Sequence, residues 1–199
     1  MINKLNQQQN NKKGTLFVIS GPSGAGKSSL VREALANIGN LVKSVSATTR
    51  PPRKGEINGK NYYFVKKNEF EAMIEKDELL EWADYCGYYY GTPLKYVMDN
   101  LKKGINIILE IEVIGAMKVK KIIPDTYFIF ITVFNIMQLE KRLRKRATEC
   151  EEVILSRIKK AGEEMQYEKY YDCIIINNNY NEALKNLMHA LNSKSGGNL

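Results

Sequence analysis

Histidine is nearly absent from this chain: His189 is the one example among 199 residues. It falls in a helical pattern near the C-terminus and gives no reason to expect imidazole chemistry. Cysteine is scarce too. Cys86, Cys150 and Cys173 are odd in number and widely spaced, with no C-x-x-C pair and no histidine partners. That pattern argues for reduced structural thiols over a disulfide framework, a metal site or a nucleophile. No apolar run reaches transmembrane length, and the Asn/Gln-rich start (Met1 to Lys13) lacks the apolar core of a signal peptide. A cytoplasmic location without a membrane partner is the expectation. No internal repeat is visible. The formal net charge is +8, but the basic residues are scattered and no aromatic-interleaved basic platform accompanies them. Nucleic acid is therefore discounted. Arginine is concentrated in two places, Arg50 with Arg53 and Arg142 through Arg146, and both suit small anionic ligands.

What the chain does have is Gly21-Pro22-Ser23-Gly24-Ala25-Gly26-Lys27-Ser28, which fits G-x-x-x-x-G-K-[ST]. The apolar, β-branched run Leu16 to Ile19 precedes it and suits a buried parallel strand. Ser28 to Leu35 follows with the spacing and composition of an amphipathic helix. In such a loop, backbone N–H groups and the helix N-terminus supply positive potential to phosphate oxygens. Lys27 would reach the β- and γ-phosphates, and the Ser28 hydroxyl would join a Mg²⁺ shell. Residues Gly21 through Ser29 (Gly21, Pro22, Ser23, Gly24, Ala25, Gly26, Lys27, Ser28 and Ser29) are thus expected to bind a nucleoside triphosphate.

Strand-like and helix-like segments alternate along the rest, which predicts an α/β fold with a parallel sheet flanked by helices. Residues 1–13 and 193–199 read as disordered tails around one domain spanning 14–192. Short elements and many tyrosines set residues 45–94 apart as an inserted lobe. Thr92 reads as the cap of a helix from Pro93 to Lys103, Glu151 to Tyr170 as one long helix, and Asn181 to Leu191 as the closing helix.

Four blocks together resemble guanylate kinase, the ATP:GMP phosphotransferase among the nucleoside monophosphate kinases. They are the loop above; Ser46 to Arg53 with Gly55 to Gly59; Glu81-Trp82-Ala83 with Tyr89-Tyr90-Gly91-Thr92; and Arg142 through Glu149. The resemblance implies a P-loop NTPase core (about 14–44, 95–135 and 161–192), a GMP-binding lobe (about 45–94) and a helical lid (about 136–160). It implies Mg²⁺ with ATP, GMP and also dGMP as partners, and leaves the oligomeric state open.

It also implies roles for particular residues. Glu81 holds the position whose carboxylate accepts from guanine N1–H and N2–H₂, with the hydroxyls of Ser46 and Thr92 adjusting the fit. Adenine presents an acceptor at N1, so it would leave that carboxylate unpaired. Arg50 and Arg53 offer planar forks to the GMP phosphate, and Tyr62 and Tyr90 single phenolic bonds. Arg142 and Arg146, four apart on one helical face, and Arg157 on the next helix are expected to close over the ATP phosphates. Lys27, Arg50, Arg142, Arg146 and Arg157 are the expected catalytic set. Glu110 and Glu112 follow a buried strand. Carboxylates there can order water about Mg²⁺, engage Arg50 or contact guanine, although Glu112 stands where the family usually has Asp. Two further readings share the loop: a non-catalytic interaction module of the same fold, and a kinase with a ribose-phosphate acceptor. An intact Lys27–Ser28 argues against the first, and the guanine set Glu81, Ser46 and Thr92 against the second.

Overall fold

Alternation along β1 (Leu16–Ser20) organises the fold. In the computed structural model, which describes residues 13–85, 87–145 and 151–195, every side chain of this strand is buried. Phe17 and Ile19 face one core, shared with α1 (Lys27–Asn37) and α7 (Tyr180–Lys194). Leu16 and Val18 face the other, shared with α3 (Leu94–Lys102) and α4 (Val113–Ile122). A strand apolar on both faces must be covered on both, and a parallel sheet between helices does that.

The sheet has the order β2-β7-β1-β8-β9 and is parallel throughout, with β2 Leu41–Lys43, β7 Asn106–Glu110, β8 Tyr127–Thr132 and β9 Cys173–Ile176. Adjacent strands β1 and β7 send their following helices, α1 and α4, to opposite faces. That arrangement opens a crevice at the carboxyl ends of the two strands, where open α/β sheets place ligands. The expected α/β class is what the chain adopts.

A second sheet, order β4-β3-β6-β5, is built from β3 (Ala47–Thr48), β4 (Tyr63–Phe64), β5 (Leu79–Tyr85) and β6 (Tyr88–Pro93). It leans on α2 (Lys67–Glu75), whose Phe70 is fully buried against Tyr89. After β8 come α5 (Ile136–Lys145) and α6 (Glu151–Met165). Arg144, between Glu140 and Glu151, ties the two helices together at the surface.

Three local expectations are corrected. Thr92 is a strand residue and not a helix cap; its hydroxyl donates to Glu81 instead, and Pro93 takes the cap position. The long helix stops at Met165, and a 3₁₀ turn at Glu168–Tyr170 follows, because Tyr171 turns inward to pack on Phe128 and Phe130. The closing helix runs from Tyr180 to Lys194, past the expected end at Leu191. Its last turn is held by the Thr15 hydroxyl donating to the Lys194 carbonyl and by Lys194 lying over the Tyr127 ring.

Candidate active site

The turn from β1 into α1 cannot close without glycine at its last step. Gly26 has φ 92° and serves as the helix N-cap, and a Cβ there would strike the Asn177 amide. That amide is at work already: Asn177 Nδ2 donates to the Ala25 carbonyl at 2.7 Å, and Ala25 is fully buried. No side chain caps α1, so its first N–H groups are left to an incoming anion. The Lys27 ammonium donates to the carbonyls of Gly21 and Pro22, folded into the space a phosphate would take. Ser28 donates to Glu110, which also pairs with Lys43. Burial pushes the Glu110 carboxyl up, but Lys43, Ser28 and Lys27 together bring it below the usual carboxylate range.

Two cavities flank this loop. One, of about 370 Å³, brings together Ser23, Lys27, Ser28, Ser46, Arg50, Arg53, Tyr62, Glu81, Tyr90, Glu110, Glu112 and Arg157. Residues far apart in sequence, some singled out for the triphosphate and some for the acceptor nucleotide, therefore share one cavity. Thr92 is fully buried behind it and reaches it through Glu81. The other cavity, of about 550 Å³, is lined by Gly24, Gly26, Ser29, Arg142, Asn177, Asn178 and Tyr180. Arg142 and Arg157, expected to act as one group, thus open onto different cavities. Arg142 donates to the Asn177 carbonyl at 2.6 Å. Arg146 lies outside the described residues.

Glu81 is 6% exposed, and burial raises its pKa against the opposing pulls of the Thr92 hydrogen bond and Lys118. Thr92 Oγ1 donates to Oε1 at 2.7 Å. The other oxygen, Oε2, rests against Gly115 in the first turn of α4, where a Cβ would fall well inside van der Waals contact. Gly115 is a residue that sequence reasoning missed. Gly115→Ala is expected to displace the carboxylate and raise KM for GMP roughly 10- to 100-fold, because a misplacement near 1 Å has effects of that order. Steady-state kinetics at saturating Mg-ATP read this directly, and an unchanged KM would show the carboxylate is free to move aside.

Arg50 is more heavily engaged than expected. Its Nη2 donates to both carboxylate oxygens of Glu56 (2.8 and 3.0 Å), Nε to Tyr90 Oη at 3.1 Å and Nη1 to the Pro51 carbonyl at 2.7 Å. The guanidinium also lies within 6 Å of the Tyr62 and Phe64 rings, at 5.5 and 5.8 Å. Glu56, first, raises the Arg50 pKa, and Arg50 in turn holds the Glu56 carboxyl below its usual range. Glu56 also accepts from the Arg53 backbone N–H at 2.7 Å. It is the organiser of this loop, and the sequence signal for it was present: an acid six positions from Arg50, inside the same Pro-rich motif. Tyr62 is raised by burial first, then by its neighbour Tyr90. Lys43 was likewise missed, since its partner Glu110 is distant in sequence.

A family model described as guanylate kinase matches residues 13–194. The guanylate kinase of Caldanaerobacter subterraneus subsp. tengcongensis is 46% identical over 176 residues, covering 88% of this chain and 85% of the relative. That of Halalkalibacterium halodurans is 49% identical over 166 residues, covering 83% and 81%. The crystal structure of guanylate kinase from Anaplasma phagocytophilum superposes with a TM-score of 0.78 at 32% identity, covering 94% of this chain and 89% of the other. With the phosphate loop, the buried Glu81 and the arginine loop in one crevice, the chain belongs to the guanylate kinase family.

Proposed function

We propose that the chain transfers the γ-phosphoryl group of Mg-ATP to GMP, giving ADP and GDP. The observation that carries this is the buried carboxylate of Glu81 in the same cavity as Lys27 and Ser28. A guanine held there by its N1–H and N2–H₂ donors would extend its 5′-phosphate toward the loop, past Arg50, Arg53, Tyr62 and Tyr90. The donor nucleotide takes the other side of the loop, where Arg142 and the Asn177–Tyr180 segment line the larger cavity. The two polyanions then meet over Lys27.

Magnesium fits the donor chemistry at this point, since a hydroxyl and an ionised carboxylate are hard oxygens. Ser28 would hold the ion, with Glu110 orienting the hydroxyl. When bound, it neutralises charge on the ATP phosphates. The remaining work is positional. Lys27 leaves the Gly21 and Pro22 carbonyls for phosphate oxygens, and the α1 N-terminus supplies fixed positive potential. No general base is needed, because the attacking GMP phosphate is already anionic. We assign the GMP lobe to residues 45–94 and a lid to the helices over 136–160. Their closure would exclude water, so that ATP is not hydrolysed in place of transfer. The cytoplasm, where both nucleotides are abundant, is the proposed location; no helix among the described residues is long and apolar enough to cross a membrane.

A coupled assay of ADP release over GMP, dGMP, AMP, UMP and ribose phosphates tests the assignment. Turnover confined to the guanine nucleotides is expected. Equal turnover with AMP or a ribose phosphate would overturn the role given to Glu81, and none with any acceptor would overturn catalysis.

A further inference from the structure

The pairing of β5 with β6 slips beside the acid that reads the acceptor: its register shifts between Leu79 and Glu81. Such an irregularity re-aims a side chain and also weakens the ladder around it. The direction of the Glu81 carboxylate therefore depends on support from outside the strand pair, and α4 is the helix packed against β5. Two anchors bracket the acid. On one side Leu80, 3% exposed, packs in the core cluster with Val113, Ala116 and Val119 of α4. On the other, the Lys118 ammonium donates to the Trp82 carbonyl and lies over the Trp82 indole, 4.8 Å from its centroid.

Lys118 stands three positions beyond Gly115, so both project from one face of α4. Gly115 leaves room for Glu81 Oε2, while Lys118 grips the next residue of the strand. The indole is held in turn by Tyr89 of β6, edge-on with centroids 5.7 Å apart. The next lysine along the helix serves elsewhere: Lys120 donates to the Tyr170 carbonyl and lies over Phe128. Burial disfavours the Glu81 charge, and the Thr92 bond and the Lys118 ammonium both work the other way. Lys118 is exposed, so its replacement opens no hole in the core.

We propose that Lys118 is a positioning residue for Glu81: by pinning Trp82 to α4 it holds the neighbouring carboxylate at the angle that accepts both guanine donors. Specificity follows from the second of those bonds. A carboxylate that meets N1–H and N2–H₂ together must lie in the plane of the base, whereas one that meets N1–H alone tolerates rotation. A base with a single donor on that edge, such as the hypoxanthine of IMP, should thus gain little from Lys118.

The inference rests on guanine being read by Glu81, and the test keeps the two apart. Dissociation constants of GMP and IMP are measured by calorimetry on the full chain, beside KM and kcat at saturating Mg-ATP. In Lys118→Met the constant for GMP should rise about 5- to 20-fold, the size of one hydrogen bond weakened at a charged group. That for IMP should rise less than about 2-fold, so the preference for GMP over IMP falls. Most of the loss should appear in KM for GMP and little in kcat. Lys118→Arg, which can donate to the same carbonyl and stack on the indole, should restore GMP affinity. In a Glu81→Gln background, Lys118→Met should cost nothing further, because its effect passes through the carboxylate. Equal rises for GMP and IMP would make Lys118 a general brace of the second sheet and overturn the inference. So would a fall in kcat at unchanged KM, or additive losses in the double variant. Glu81→Gln alone locates the fault. If it loses GMP affinity while Lys118→Met keeps it, the guanine reading stands and the role of Lys118 is lost. If it binds GMP as before, the guanine reading fails and the inference falls with it.

Discussion

Lys27→Ala is expected to lower turnover by about 10²- to 10³-fold, or roughly 3–4 kcal/mol of transition-state stabilisation, the size seen when one preorganised donor is removed from a reacting oxyanion. The geometry gives the reason. The Lys27 ammonium is parked on the carbonyls of Gly21 and Pro22, inside the loop that would receive the phosphates. It contributes to the ionisation of Glu110 as well, so its loss weakens the group that orients Ser28. Neither bond belongs to a core cluster, and the thermal midpoint should fall by no more than a few degrees. Lys27→Met, which keeps most of the stem but not the charge, should behave like Ala. Retention of most of the turnover by the Met variant would mean that the stem matters more than the charge, and the assignment of Lys27 to transition-state neutralisation would be lost.

Glu81→Gln is expected to reduce kcat/KM for GMP by on the order of 2–4 kcal/mol, about 30- to 1,000-fold, as for other buried charge-assisted pairs that lose their charge. The amide keeps one acceptor but turns its NH₂ toward the N1–H or N2–H₂ of guanine, so donor faces donor. Thr92 can still donate to the remaining oxygen, and the fold keeps its bond at that corner. Free of ligand, the substituted protein should be as stable as the original or slightly more so. Burial works against the Glu81 charge, and the amide carries none. ATP binding, measured by calorimetry without GMP, should hardly move, since Glu81 lines only the acceptor cavity. A parallel loss of ATP affinity would instead make Glu81 a structural acid supporting α4.

Contacts between neighbours in sequence were legible; contacts across the fold were not. The phosphate loop is read from eight consecutive residues because glycine, lysine and serine at that spacing serve backbone geometry and one ligand. The parallel sheet is legible in the same way: β1 and β8 carry apolar runs, Leu16 to Ile19 and Tyr127 to Ile131, which burial on both faces explains. Thr92 shows where such reading fails. Followed by proline, it has the local signature of a helix cap, and local signature cannot register that Glu81, across the strand pair, needs its hydroxyl. Gly115 is harder still: it is shaped by a carboxylate 34 positions earlier in the chain, and a glycine advertises no partner. Arg50 falls between the two: its importance was plain from the motif, but its engagement by Glu56 depends on how the Pro-rich turn folds back.

The amide of Asn177 has a consequence for the order of events during synthesis. Its bond to Ala25 spans 152 positions, and the hydroxyl of Thr15 reaches 179 positions to Lys194. Closing contacts of such length is slow, because the intervening chain must be ordered before either bond can form. A ribosome-bound chain lacking β9 and α7 would carry the complete phosphate-loop sequence but not the brace that holds its Ala25 carbonyl. Competence to bind nucleotide would then be the last property acquired. ATP would neither protect nor select unfinished chains, and a truncation before Asn177 should bind it poorly even where its sheet has formed.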